Sequence, residues 1–358
     1  MKIIDLYIIK KFLGTFIFTI IIICLVAVIF DISEKIDDFI EKKAPFNEIV
    51  FDYYMNFIPY FANLFSPLFV FIAVIYFTSR MAANTEIIAI LNSGISFRRL
   101  LLPYFISALI IAGFSFYLAG WVIPRANVIR LNFENIYIKN PFVYKARNIH
   151  QQVKPGEFVY FESFNNFENI GYLFSYEKFN GDELYYKLMS DRIRWDSTSS
   201  KWTVENYFIR HIDGMNERVE TGMQLQEEYN FKPEEFSRRI NYIDAMTNDQ
   251  LGDFIQQEKL RGSENLVYSQ VERNKRQATP FAAFVLTLIG VSLSSRKVRG
   301  GIGKQLGLGI GISFTYILFQ QVSTTFATNG NVPAIIAVWI PNIVFTLIGL
   351  YLLRIAPK

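Results

Sequence analysis

The sequence predicts an α-helical membrane protein with six transmembrane helices and a β-rich, water-soluble domain inserted between the third and the fourth. Three observations predict it. Apolar residues fall in six blocks, 12–30, 54–78, 100–122, 278–295, 305–326 and 333–353, nearly free of charge and close to the length a helix needs to cross a bilayer. The chain is 51% hydrophobic with a mean hydropathy of +0.22, and its charged residues, 19% of the total, are concentrated between those blocks; a water-soluble chain of this length is less apolar and spreads its apolar residues periodically. Between the third and fourth blocks lie roughly 150 residues, enough for one domain, in which apolar and polar residues alternate.

Backbone groups in lipid must find partners within their own segment, so the six blocks are helices. Prolines 59, 67, 103, 280, 333 and 341 lie in or at the ends of these blocks, where membrane helices tolerate them as kinks or starts. The block 12–30 has basic residues ahead of it, but its apolar run is too long for a signal peptide and no small-residue cleavage site follows, so it reads as a retained helix. Orientation follows from lysine and arginine near the helix ends. One side carries Lys2, Lys10, Lys11, Arg80, Arg98, Arg99, Arg296, Lys297, Arg299, Lys304, Arg354 and Lys358; the short loops of the other side, 31–53 and 327–332, carry only Lys35, Lys42 and Lys43, set among acids. This bias puts both termini and the loops 79–99 and 296–304 in the cytoplasm and the segment 124–272 outside.

The inserted segment reads as β. Tyr172, Phe174 and Tyr176 alternate with Leu173, Ser175 and Glu177, and Leu184, Tyr186 and Leu188 alternate likewise. Asn180-Gly181-Asp182 and Asp213-Gly214 are turn signals. Short strands with such turns suggest a sandwich or jelly roll, although the alternation slips near Ser190 and Asn206 and leaves the register open. After Pro233 the pattern turns helical: Thr247 or Asn248 can cap a helix that carries Leu251, Phe254 and Ile255 on one face, Gly262 interrupts it, and a second helix from about Glu264 runs into the fourth span.

Several function classes are excluded. The net charge of +4, without a basic stripe interleaved with aromatics, argues against nucleic acid. The one cysteine, Cys24, permits no disulfide within the chain and no cysteine-based metal site, and His150 and His211 lack ligand spacing. Gly300-Gly301-Ile302-Gly303-Lys304-Gln305 is no phosphate-binding loop: position 298 is Val298 rather than glycine, Gln305 stands where Ser or Thr should follow the lysine, and no strand precedes it. No catalytic constellation emerges. Ionisable residues are essentially absent from the six spans, which argues against ion-coupled transport and for an external energy source.

Three features invite functional readings, each with a plainer alternative. Asn84-Thr85-Glu86 can cap a short apolar helix with Ile87, Ile88, Ile90 and Leu91, closed by Asn92-Ser93-Gly94. It is either an interfacial helix lying on lipid or a docking helix for a cytoplasmic partner, with Glu86 pairing a partner arginine or lysine. Lys35, Lys42 and Lys43 beyond the first span, and Arg125 and Arg130 beyond the third, are either solvated charges or a ring around the headgroup of a phosphorylated lipid. Gly303, Gly307 and Gly311, spaced by four, are either the glycine common in membrane helices or a seam that lets another helix approach closely.

Several pieces, in order along most of the chain, resemble the lipopolysaccharide-export permeases LptF and LptG (the YjgP/YjgQ family). They are Asp5-Leu6-Tyr7-Ile8 and Lys42-Lys43 on either side of the first span, Glu86 through Gly94, and Trp121-Val122-Ile123-Pro124 ending the third. Pro280-Phe281-Ala282, Gly311-Ile312-Ser313-Phe314 and Pro333-Ala334-Ile335-Ile336 follow in the last three spans, and the fifth and sixth spans and the basic loop after the first are more similar to LptG. The resemblance implies a permease subunit in the inner membrane of a Gram-negative bacterium. Its expected partners are an LptB-like cytoplasmic ATPase dimer that carries ATP and Mg, an LptF-like second permease, a single-span LptC-like protein, a periplasmic LptA-like bridge and lipopolysaccharide. This chain would hold no cofactor and catalyse no reaction itself. The resemblance further implies three parts: residues 1–123, spans one to three with a coupling helix at about 81–93; 124–246, a periplasmic β-jelly-roll; and 247–358, a connecting helix and spans four to six. It assigns ATPase coupling to Glu86, on the helix that carries Ile87, Ile90 and Leu91 as further coupling candidates, and headgroup binding to Lys35, Lys42 and Lys43 and, with more slack, Arg125 and Arg130; the four-residue spacing itself makes Gly303, Gly307 and Gly311 candidates for helix packing. A rival reading is a permease-like protein that relays ATP-driven motion to a periplasmic partner without transporting anything; such proteins typically have fewer spans.

Overall fold

The computed structural model describes residues 3–140, 143–235, 240–263, 265–295, 301–330 and 332–356. Lys2, Arg296, Lys297, Arg299 and Lys358, used above for orientation, lie outside them, as do Gly300 and the expected helix start at Glu264. Among the described residues, six helices are long and apolar enough to cross a membrane. The chain divides into two compact units: a helical one of Met1–Ile138, Ile243–Leu251 and Val267–Lys358, and a β unit of Lys139–Tyr242 and Gly252–Leu266.

In the helical unit α1 (Ile3–Glu41) is a single rod of 39 residues, about 58 Å long at 1.5 Å per residue and therefore longer than a bilayer core is thick. The second block is not one helix. A short α2 (Phe46–Glu48) leads through a π-helical stretch, Ile49–Tyr54, into α3 (Met55–Leu64); the chain breaks at Phe65 and restarts as α4 (Ser66–Ala83) with Pro67 in its first turn, where proline costs no hydrogen bond. After α5 (Glu86–Asn92), α6 (Phe97–Tyr117) passes through a second π-helical stretch, Leu118–Val122, directly into α7 (Ile123–Tyr137). The third span is thus 41 residues of continuous helix, Phe97–Tyr137, and the domain boundary expected at 123/124 falls inside it. Pro124 does not end the helix because the wider turn before it absorbs the missing donor. Beyond it α7 keeps an inward face, with Phe133 packed against Tyr53 and Phe39.

α8 (Asn248–Arg261) opens on the expected cap: the Gln250 amide donates to Thr247 Oγ1 at 3.4 Å and the Thr247 amide to Gln250 Oε1 at 3.0 Å. Gly262, at φ +64°, stops it. α9 (Leu266–Ala278) continues through a 3₁₀ turn, Thr279–Phe281, into α10 (Ala282–Ser294), so the short fourth block extends at its N-terminal end. α11 (Gly301–Asn329) and α12 (Ala334–Ile355) complete the unit. Its deepest core joins α4 to α10, α11 and α12 through Phe71, Ile75, Leu286, Ile289, Tyr316 and Phe345. The apolar windows of α4 and of the fourth span are 78% and 72% buried, whereas that of α1 is 17% buried; α1 presents most of its apolar surface outward.

The β unit is one antiparallel sheet in sequential order: β1 (Arg147–Lys154), β2 (Glu157–Asn165), β3 (Ile170–Asn180), β4 (Glu183–Asp196), β5 (Lys201–Asp213) and β6 (Asn216–Glu227). Every connection between neighbours is a hairpin, and both expected turns are present, with Gly181 and Gly214 at positive φ. The core is aromatic: Phe161, Phe174, Trp202, Tyr229 and Phe231 interlock, and the Trp202 indole donates to the Phe231 carbonyl at 3.0 Å. The slip in alternation has a structural cause. Leu173 and Asn206 adopt left-handed backbone, at φ +49° and +52°, on a line where the pairing of β2 to β5 is interrupted. Val204 faces the core before Asn206 and Ile209 after it, so the parity of inward residues changes across the bulge.

Candidate functional site

The segment between α4 and α6 folds as the residues suggested, with differences that matter for what it can bind. The helix starts at Glu86, so 81–83 belong to the end of α4. Thr85 sits at φ +62°, and its hydroxyl donates to the Asn84 carbonyl at 2.6 Å instead of capping the helix. Glu86 is held at both oxygens: Asn84 Nδ2 donates to Oε1 at 3.2 Å and the Tyr7 hydroxyl to Oε2 at 3.1 Å. Gly94, at φ +84°, turns the chain, and Ser96 caps α6 by accepting from the Arg99 amide at 3.3 Å.

α5 is amphipathic, but not with the face expected. Ile87 is 1% exposed, inside the core formed by α1, α4 and α6, and Ile90 and Leu91 pack half-buried against the same core. Ile87 is therefore a correction: it anchors the helix to its own chain and cannot form a docking face. The outward residues are Glu86, Ile88 (48% exposed), Ala89 and Asn92. Position 88 was in the sequence pattern; only its direction was not.

The basic residues divide into two kinds. Lys42 is half-exposed, and Lys43 and Arg125 are exposed; Lys43 takes φ +52° where the chain leaves α1. Lys35 is partly buried and is engaged by Asp31 and the Tyr53 hydroxyl, and the Tyr54 hydroxyl donates to the other Asp31 oxygen at 3.1 Å. Arg130 is buried. Its Nη1 donates to Glu134 Oε1 at 2.6 Å, its Nε to Asn127 Oδ1 at 3.2 Å, and its guanidinium lies 4.4 Å from the centre of the Tyr60 ring. Neither is a freely solvated charge, the plainer of the two readings that the sequence left open.

Among the described residues the glycine stripe makes no seam inside the chain. Apart from chain neighbours and their own helix backbone, no described heavy atom lies within 4 Å of where a Cβ would sit on Gly303, Gly307 or Gly311. The close approaches are at Gly290, where a Cβ would stand 2.7 Å from Val74, and at Gly309, where it would stand 2.3 Å from the tip of Ile75.

One polar cluster was not legible in the sequence. Asp244, Glu272, Lys275 and Arg276 gather with Tyr60, Asn127 and Gln320 around a cavity of about 100 Å³ between α3, α7, α9 and α11. Arg276 is almost fully buried, donating to the carbonyls of Met246 at 2.7 Å and Ile243 at 3.3 Å and to Glu272 at 2.8 Å. Asn127 Nδ2 donates to the Asp244 carbonyl at 2.9 Å. Burial, and next the nearby Glu272 carboxylate, push the Asp244 carboxyl up to about 6, against the pull of Lys275, Arg276 and Arg130. A carboxyl raised on folding is costly to ionise: the penalty is fully present above about pH 6 and fades as pH falls toward the unfolded value near 4. Asp244→Asn should therefore melt later than the parent at pH 8, by the equivalent of about 3 kcal/mol. In detergent melts that gain should shrink with acidification and vanish by about pH 4.

A profile of the family described as lipopolysaccharide export system permease LptF/LptG matches residues 6–355. The chain belongs to this LptF/LptG family. A comparison with curated protein sequences returns no match. As an LptF/LptG permease the chain is a membrane-embedded component of a lipopolysaccharide export system, a transporter part rather than an enzyme. The match takes in all six spans and the inserted β unit together, including α5 and both groups of basic residues.

Proposed function

We propose that this LptF/LptG permease is the LptG-like subunit of an ATP-driven exporter that lifts lipopolysaccharide from the inner membrane of a Gram-negative bacterium. Both termini and α5 are cytoplasmic, and the β unit is periplasmic. An LptF-like second permease completes the lipid cavity, an LptC-like single-span protein sits beside it, and an LptA-like bridge receives the lipid. ATP and Mg are bound by an LptB-like ATPase dimer. The observation that carries the coupling is Glu86, half-exposed at the start of a helix anchored between two spans with Ile88 exposed beside it. That is a surface for one cation and one apolar contact.

The physical need for ATP follows from the cargo. Drawing acyl chains out of a bilayer costs about 0.8 kcal/mol per CH₂ group, so a lipid with several chains does not leave unaided. The outward apolar face of α1 offers acyl chains a surface, and the exposed Lys43 and Arg125, with the half-exposed Lys42, are cations suited to phosphates. The six spans favour export through this chain over the relay reading, which calls for fewer.

Glu86→Ala is the test. In the assembled exporter in nanodiscs, we expect ATP-dependent lipopolysaccharide release to fall by about tenfold or more, as loss of one partner of an interfacial charge pair does. The ATPase should co-purify poorly or hydrolyse without release. Wild-type release from Glu86→Ala would remove the coupling assignment.

A further inference from the structure

We propose that Tyr7 is a positioning residue for the coupling carboxylate, and that through it α5 is mechanically tied to the first turns of α1. This rests on the coupling role given to Glu86 above. α5 follows α4 in sequence, and a link through α4 alone is the expected route for its motion. The structure adds a second route, through a helix some 80 residues away in the chain.

Two polar links at the same end of α1 make it. Asp5, 3% exposed, accepts from both ends of the Arg99 guanidinium, at 2.8 and 2.6 Å, which ties α1 to α6 in a two-pronged geometry that fixes angle as well as distance. Two residues on, the Tyr7 hydroxyl donates to Glu86 Oε2 at 3.1 Å. The Tyr7 ring is itself flanked one turn later by the Lys11 ammonium, 5.8 Å from its centre. Apolar contacts back these links: Ile4 and Ile8 belong to the same core as Ile87, Ile90 and Leu91.

The electrostatics give the hydroxyl its purpose. Both Glu86 oxygens are held by neutral donors, Tyr7 and Asn84, and among the described residues no ion pair neutralises the carboxylate. Neutral donors fix its direction without spending its charge, so a cation on a docking surface meets a carboxylate that is already oriented and loses little rotamer freedom on binding. Asn84 belongs to the same short connection as Glu86, whereas Tyr7 belongs to α1. A pull on Glu86 is therefore felt by the long, sparsely buried α1 as well as by α5.

The test uses the complete exporter in nanodiscs, stripped of its ATPase and titrated with the purified ATPase subunit, with stimulated hydrolysis and lipid release per ATP as the two readouts. Tyr7→Phe deletes one oxygen and keeps the ring packing. We expect it to weaken ATPase association about tenfold, the scale for a hydrogen bond to a charged group, and to lower release per ATP, while the melting temperature of the permease pair stays unchanged. In a Glu86→Gln background, adding Tyr7→Phe should change neither readout. Two results overturn the inference: parental association and release in Tyr7→Phe, or a loss of the same size with and without the Glu86 carboxylate, which marks a general structural effect. A silent Tyr7→Phe beside an impaired Glu86→Gln removes the positioning role and leaves the coupling reading standing. A silent Glu86→Gln removes both.

Discussion

Gly290→Leu should prevent the chain from accumulating as a folded membrane protein, whereas Gly307→Leu should leave its stability intact. Gly290 lies on α10, where that helix meets α4. A Cβ there would stand 2.7 Å from Val74 Cγ1, 3.2 Å from Val74 Cβ and 3.4 Å from Phe71 Cε2. Val74 is fully buried and β-branched, so it has no alternative rotamer to retreat into. The two helices must separate instead, and the contacts among Phe71, Ile75, Leu286 and Ile289 that hold α4, α10, α11 and α12 together loosen with them. Overpacking of this kind costs about 3 kcal/mol or more, and in lipid no hydrophobic effect recloses the gap because the tails are as apolar as the side chains. Size-exclusion profiles of the two variants from equal amounts of membrane would separate them: a lost or aggregated peak for Gly290→Leu, a parental peak and melt for Gly307→Leu. The second variant then tests whether the stripe is a seam for a helix of the other permease. Failure of Gly307→Leu to co-purify with it supports the seam; normal assembly says that the stripe faces lipid.

What could be read in the sequence divides along a physical line. The six spans were legible because lipid demands long apolar runs, and a run is visible one residue after another. The extension of the third span to Tyr137 was hidden because the apolar run stops near Val122 while the helix does not: beyond Pro124 its inward face is built from Asn127, Arg130 and Phe133, which meet Asp244, Tyr60 and Tyr53, all distant in sequence. The cluster around Asp244 was hidden for the same reason, since Asn127 and Asp244 are 117 residues apart. The direction of α5 could not be settled from seven residues. Four apolar positions, 87, 88, 90 and 91, allow either Ile87 or Ile88 to face in, and only the fit against α1, α4 and α6 decides. In the sheet, parity counting works until a left-handed residue resets it. Asn206 is a residue type that tolerates that backbone, and the slip was visible beside it in the sequence; Leu173, which shares the interruption, carried no such sign.

Arg130→Met should cost the chain about 3–5 kcal/mol, and Glu134→Leu added to it should return most of that loss. Both side chains are about 10% exposed, one helical turn apart on α7. Removing the guanidinium alone takes the Arg130 ion pair from the buried Glu134 carboxylate, and it withdraws a donor from Asn127 as well. Removing both charges replaces an ion pair with apolar side chains, a change that is often neutral or stabilising. The pair of variants also decides whether Arg130 touches the lipid. A phosphate contact needs the guanidinium itself, so the double variant would fold and melt like the parent yet retain less lipopolysaccharide on purification and release less of it in nanodiscs. If stability, retention and release all return together, Arg130 serves the helix and not the headgroup, and the phosphate-facing set contracts to the residues at exposed positions, Lys43 and Arg125, with Lys42 beside them.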